Sequence, residues 1–114
     1  MEHTERRLGD VVIVDLKGKA TFGTRGLALR QIVEDLLDRG ERRILLNMAE
    51  VSYMDSGGIG DLVVSFIRVS KRSGQLKLLN LTDKTHNLLE MTSLIDVIRH
   101  FSDETEAVNS FDPE

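Results

Sequence analysis

Apolar residues fall into short blocks along this chain, and the spacing inside each block predicts the element it forms. Val11 to Leu16 is a nearly continuous apolar run preceded by a polar stretch, and Gly9-Asp10 separates the two. Gly-Asp suits a tight turn whose first central residue needs φ > 0, so the chain is expected to open as a β-hairpin. After Gly18 the period changes. Leu29, Ile32, Val33, Leu36 and Leu37 recur at i, i+3, i+4, i+7 and i+8 with Arg30, Gln31, Glu34, Asp35 and Asp38 on the other side, which predicts an amphipathic helix ended by Gly40. The run Arg43-Ile44-Leu45-Leu46-Asn47-Met48 has the length and composition of a buried central strand. A second helix is expected to begin near Ser56, to bury Ile59, Leu62, Val63, Phe66 and Ile67, and to stop before Ser73-Gly74. Gln75-Leu76-Lys77-Leu78 alternates polar and apolar positions before Leu79-Asn80-Leu81 and predicts another strand. Thr82 or Asp83 caps a short third helix through Leu88 and Leu89, and Val97 to Phe101 forms a last strand. Asp103-Glu104-Thr105-Glu106 reads as a capping box for a closing helix carrying Ala107, Val108 and Phe111.

The predicted order is β-β-α-β-α-β-α-β-α. Strands that alternate with helices after an opening hairpin call for right-handed crossovers, and the expected fold is an α/β domain with a mixed sheet of four to five strands covered by helices. No repeat or low-complexity linker divides the chain, so residues 1–114 are expected to form a single domain, with a closing helix and tail from about residue 103. With 114 residues, 40% hydrophobic and 30% charged, such a domain buries a core without staples. The absence of cysteine excludes disulfides, thiolate metal sites and thiol chemistry, and a cytoplasmic location is the expectation. The amino-terminal residues carry charges of both signs with no apolar run after them, unlike a secretory signal, and no run approaches the roughly 20 apolar residues of a bilayer span, so no membrane insertion is expected. Net charge is −4 without a basic cluster, which argues against direct nucleic-acid binding and towards a protein partner or small ligand.

The segment Val51-Ser52-Tyr53-Met54-Asp55-Ser56-Gly57-Gly58-Ile59-Gly60-Asp61 is the most unusual. Three glycines within four residues at a helix start are costly, since each lowers helix stability by about 1 kcal/mol relative to Ala. Unpaired amides at a helix start, left approachable by glycine, suit an anion or the close passage of a partner's backbone. Ser56 would present its hydroxyl at that positive pole for modification or contact. A purely local role is equally open, with Asp55 or Ser56 as N-cap and Gly57-Gly58 as a tight turn. Val64 lies roughly opposite the expected buried stripe, on the face of Asp61, Arg68 and Lys71, two turns from Ser56.

Catalytic readings of the same residues fail. A nucleophile elbow needs glycine where Met54 stands, and a Walker loop needs a lysine after Gly60 where Asp61 stands. Asp55 and Asp61 are expected on different sides of the helix start, complementing its dipole rather than forming an acid/base pair. His3, His86 and His100 lack metal-ligand spacing, so no metal and no cofactor is expected.

The strand Ile44-Leu45-Leu46-Asn47-Met48, the run Asp55-Ser56-Gly57-Gly58-Ile59-Gly60 and the apolar helix after it resemble the signature of the STAS domain, specifically of stand-alone anti-sigma factor antagonists. The resemblance extends from Val11 to about Phe101 and includes Gly18, the helix Leu29 to Leu37, the Lys71 to Gly74 turn and Leu94-Asp96-Val97-Ile98. It implies a non-enzymatic regulator. The serine matching Ser56 is phosphorylated by an anti-sigma factor that is also a serine kinase of the histidine-kinase-like ATPase fold. Unmodified, the antagonist binds that partner and frees the sigma factor. Phosphorylation ends binding, and a PP2C-type phosphatase restores it. The implied partner-binding residues are Asp55, Ser56, Gly57, Gly58, Gly60, Asp61 and Val64. The chain departs from the family at Lys19-Ala20-Thr21, where an acidic residue, an aliphatic residue and an aspartate are usual, and at Gly57, where Ser, Thr or Ala is common. A reading from another class keeps the fold without the switch: an accessory or scaffold subunit, for example of a lipid transporter, docking through the Ser56 loop.

Overall fold

The computed structural model describes residues 1–21 and 28–111. Its elements are β1 (Glu2–Leu8), β2 (Val11–Ala20), α1 (Leu29–Asp38), β3 (Arg43–Met54), α2 (Ser56–Lys71), β4 (Gln75–Leu79), α3 (Asp83–Met91), β5 (His100–Phe101) and α4 (Glu104–Asn109). The five strands form one sheet in chain order, β1-β2-β3-β4-β5. β1 and β2 are antiparallel, with Leu8 opposite Val11 and Gly9 at φ +59°, so the Gly-Asp hairpin forms as its sequence predicts. The remaining pairs are parallel.

Alternation along the strands sorts the core into two layers. Val12, Val14 and Leu16 of β2, Ile44, Leu46 and Met48 of β3, and Leu76 and Leu78 of β4 pack beneath α1, α2 and α3. Val11, Ile13, Leu45 and Leu79 point the other way and pack with Ala107 and Phe111 of the α4 segment, with Phe101 and Val108 at the margin. Lys77 is buried on this second face. Its Nζ donates to Ser110 O (2.8 Å) and Oγ (3.0 Å) and sits 4.6 Å from the centre of the Phe111 ring.

α1 ends as expected at Gly40, whose φ of +89° lets Gly40 N and Glu41 N donate to the carbonyls of Leu37 and Leu36. Thr82 caps α3 by accepting from Thr85 N (3.2 Å), and Asp103 caps α4 by accepting from Glu106 N (2.9 Å).

Three expectations are corrected. β3 does not stop at Met48 but runs to Met54, because β2 also continues to Ala20 and pairs with it, Lys19 beside Tyr53 and Ala20 beside Met54, after register shifts. The last strand shrinks to His100–Phe101. Val97 is 53% exposed in a turn while Ile98 turns inward. On α2 the buried line is Gly58, Leu62, Ser65 and Val69, and Ile67 is 44% exposed. This helix is apolar on nearly every side, so periodicity alone does not choose which stripe faces the sheet. The tail at residues 112–114 lies outside the described residues.

Candidate functional site

The Ser56 site is built where β3 ends and α2 begins. Asp55 is the N-cap. Its Oδ1 accepts from Gly57 N (2.9 Å) and Gly58 N (3.1 Å), and its own N–H donates to Ala20 O (3.2 Å), which ties the helix start to the end of β2. With the cap supplied by Asp55, Ser56 is the first helical residue, its side chain exposed and its hydroxyl making no hydrogen bond to a described residue. Of the two local roles open to sequence reading, Asp55 therefore takes the cap and leaves Ser56 available.

The glycines divide. A Cβ at Gly58 would lie 2.1 Å from Ala20 O and 2.8 Å from Met54 Cγ, so its missing side chain serves close packing inside the molecule. Gly60 is exposed, and a Cβ there would meet nothing within 4 Å. Gly57 is half-buried and contributes an N–H to the cap.

Asp61 lies partly covered at the side of α2, with Oδ1 3.8 Å from Arg30 Nε of α1. Further along the same seam, Arg68 binds Glu34 at 2.9 Å. Val64 is half-buried. Ser56, Gly60, Val64 and Ile67 follow at i, i+4, i+8 and i+11 and share the outer face of α2. Ile67 is the member that sequence reading placed in the core. The signal that finds it is its helical spacing from Ser56, since 11 residues bring a side chain back to within about 20° of the same direction at 100° per residue.

Behind Ser56 the end of β3 presents Tyr53, half exposed, and across from it stand Lys84, Leu88 and Met91 of α3, enclosing an open groove of about 320 Å³. On the far side of α3, His86 and His100 pack edge to face at 5.6 Å, and His86 Nδ1 is 2.8 Å from Glu90 Oε1. Among the described residues no three His, Asp or Glu side chains gather into a group able to hold a metal ion, and no helix is long and apolar enough to cross a membrane.

The STAS domain profile matches residues 4–107, nearly the full span of this architecture. The chain belongs to the STAS domain family. It is 32% identical over 78 residues to the anti-sigma-B factor antagonist of Staphylococcus aureus, covering 68% of this chain and 71% of that protein. Among solved structures, a crystal structure from Thermotoga maritima superposes with a TM-score of 0.87 at 21% identity, covering 96% of this chain and 93% of that one. The Bacillus cell fate determinant SpoIIAA in its phosphorylated form superposes with a TM-score of 0.69 at 19% identity, covering 95% of this chain and 97% of that one. In this STAS domain the glycine-rich run lies at the start of α2, with Ser56 as the exposed first residue of that helix.

Proposed function

We propose that this STAS domain is an anti-sigma factor antagonist that binds an anti-sigma factor when Ser56 is unmodified, and so frees a sigma factor, and that phosphorylation of Ser56 switches it off. The observation that carries the reading is the exposed hydroxyl of Ser56 on the outer face of α2, which makes no hydrogen bond to a described residue because Asp55 supplies the cap. The relative from Staphylococcus aureus named as an anti-sigma-B factor antagonist supports the same role. The kinase would be the anti-sigma factor itself, of the histidine-kinase-like ATPase fold, and a PP2C-type phosphatase would reset the switch. The chain contributes binding and no catalysis, and works in the cytoplasm.

Charge explains how such a switch acts without refolding. A phosphoserine brings about −1.5 to −2 charge and strong acceptors. At the first position of α2 the helix pole tolerates it. Asp55 is adjacent, so a partner closing over this surface would have to desolvate two acidic groups side by side, which weakens the contact. Asp61, Gly60 and Val64 would border that contact along the helix, while Gly58 holds the loop against Ala20 from within.

The test is incubation with the cognate serine kinase and ATP, followed by intact mass and peptide mapping. One phosphate on wild type, none on Ser56→Ala, and retained binding of Ser56→Ala to the anti-sigma factor are expected. A full phosphate on the alanine variant would overturn the acceptor, and stable binding with no modification of wild type would favour the accessory-subunit reading.

A further inference from the structure

The groove behind Ser56 has features that the switch does not use. Tyr53 is 50% exposed and Met91 82% exposed, an unusual outlay of large apolar side chains at one place on a small domain, and Leu88 and Met54 floor the space between them. Met54 also lies against the position where a Cβ of Gly58 would stand, so groove and Ser56 turn share a wall. Two lysines flank Tyr53. Lys19 pairs with it in register on β2, and Lys84 borders the groove from α3. Both are exposed and neither forms an ion pair with a described residue, although Lys84 also borders a recess holding Glu50 and Asp83. Lys19 and Lys84 thus stand beside an exposed tyrosine without an acidic partner among the described residues.

We propose that this groove is a second anchor point for the partner that contacts Ser56: it takes an apolar side chain of that partner over Tyr53, Leu88 and Met91, next to a carboxylate that faces Lys19 and Lys84. The inference rests on the antagonist reading and adds the chemistry of the partner's segment. A volume of about 320 Å³ accommodates one or two large side chains and not a folded domain, which fits an anchor at the margin of a larger contact. The lysines supply orientation and charge selectivity. They would favour a partner that brings an acidic loop to this place, and so act as a specificity device.

The experiment is a calorimetric titration of the purified anti-sigma factor from the same organism with wild type, Met91→Asp, the double variant Lys19→Glu/Lys84→Glu, and Ser56→Asp as a control, each checked by thermal melt. Because these side chains are exposed, all four should melt alike. Met91→Asp is expected to weaken binding at least tenfold. The lysine double variant is expected to weaken it several-fold and to flatten the salt dependence seen with wild type. Wild-type affinity in both groove variants, alongside a weakened Ser56→Asp, would overturn the groove and leave the switch standing. Absence of binding by wild type would overturn the antagonist reading and the groove with it. A wild-type dimer in light scattering that Met91→Asp converts to monomer would assign the groove to a second copy of this chain and overturn the proposal.

Discussion

Gly58 and Gly60 are two residues apart in one glycine-rich run, yet they answer to different forces. At Gly58 the helix start lies so close to β2 that any Cβ would collide with the backbone of Ala20. Backbone cannot swing aside as a side chain can, so Gly58→Ala must push α2 outward, at a cost of about 1–3 kcal/mol. At Gly60 nothing stands within 4 Å, and replacing a mid-helix glycine with alanine stabilises a helix by up to about 1 kcal/mol. Urea unfolding of the two variants should show opposite shifts in midpoint. Equal losses would mean that Gly60 is held by a contact within the chain. The sequence shows three glycines of equal standing, and only their position over β2 tells them apart.

At the scale of elements, the sheet is cross-linked by a polar row. Arg6 of β1 forms a two-pronged pair with Asp15 of β2 at 2.6 and 2.9 Å and reaches Glu104 of α4 at 2.7 Å. Asn47 of β3 donates to Asp15 at 2.8 Å, and Asn80 donates to Asn47 at 3.2 Å. The Arg6 guanidinium holds the Asp15 carboxyl below its ordinary value, burial opposes this, and the Asn47 amide adds to it. Arg6 in turn is raised by Asp15 and then Glu104. A depressed carboxyl contributes stability above its unfolded pKa of about 3.9 and loses it as pH falls through the lower folded value. Asp15→Asn is therefore expected to be less stable than wild type at pH 7, with the gap closing as pH drops below 4. Urea midpoints measured from pH 7 to pH 2 check this, and a gap that does not narrow below pH 4 would refute the role of charge. α2 and α3 show a second feature of this scale. Their carboxyl ends pass through Ser73 (φ +60°) and Ser93 (φ +61°) where a glycine is usual, with Gly74 N and Leu94 N closing back to Val69 O and Leu89 O.

For the whole molecule, the decisive fact is that the two faces of the sheet are unequally covered. Three helices pack on one face and α4 on the other. Phe111, 7% exposed, closes the smaller layer over Val11, Ile13, Leu45 and Leu79 and sits beside Lys77. Phe111→Ala is expected to cost about 3 kcal/mol, since it opens a cavity and exposes the buried end of Lys77. The Ser56 site stands on the opposite face, so phosphorylation by the kinase at a temperature where the variant is folded should proceed at the wild-type rate. A melt and a phosphorylation time course on the same sample separate the two. A slowed reaction in folded protein would show that the layers are coupled.

Much of this was legible in the chain itself. The Gly9-Asp10 turn, the 3.6-residue period of α1, the apolar run of β3 and the Asp-Ser-Gly-Gly-Ile-Gly element depend on neighbours close in sequence, and local sterics and alternation suffice to read them. Where β3 ends was not legible, because Ala49-Glu50 looks like a strand end until β2 is seen to extend beside it as far as Ala20. Nor was the face of α2, whose apolar residues occupy most of its circumference. Its direction is settled by the sheet, against which Gly58, Leu62, Ser65 and Val69 fit because Gly58 and Ser65 are small. The same docking turns Ile67 outward in line with Ser56 and sets Tyr53 opposite Met91, 38 residues away. The sequence by itself determined the elements and the residue types of the site. The tertiary structure alone decided which of them share a surface, since that depends on contacts between residues far apart in the chain.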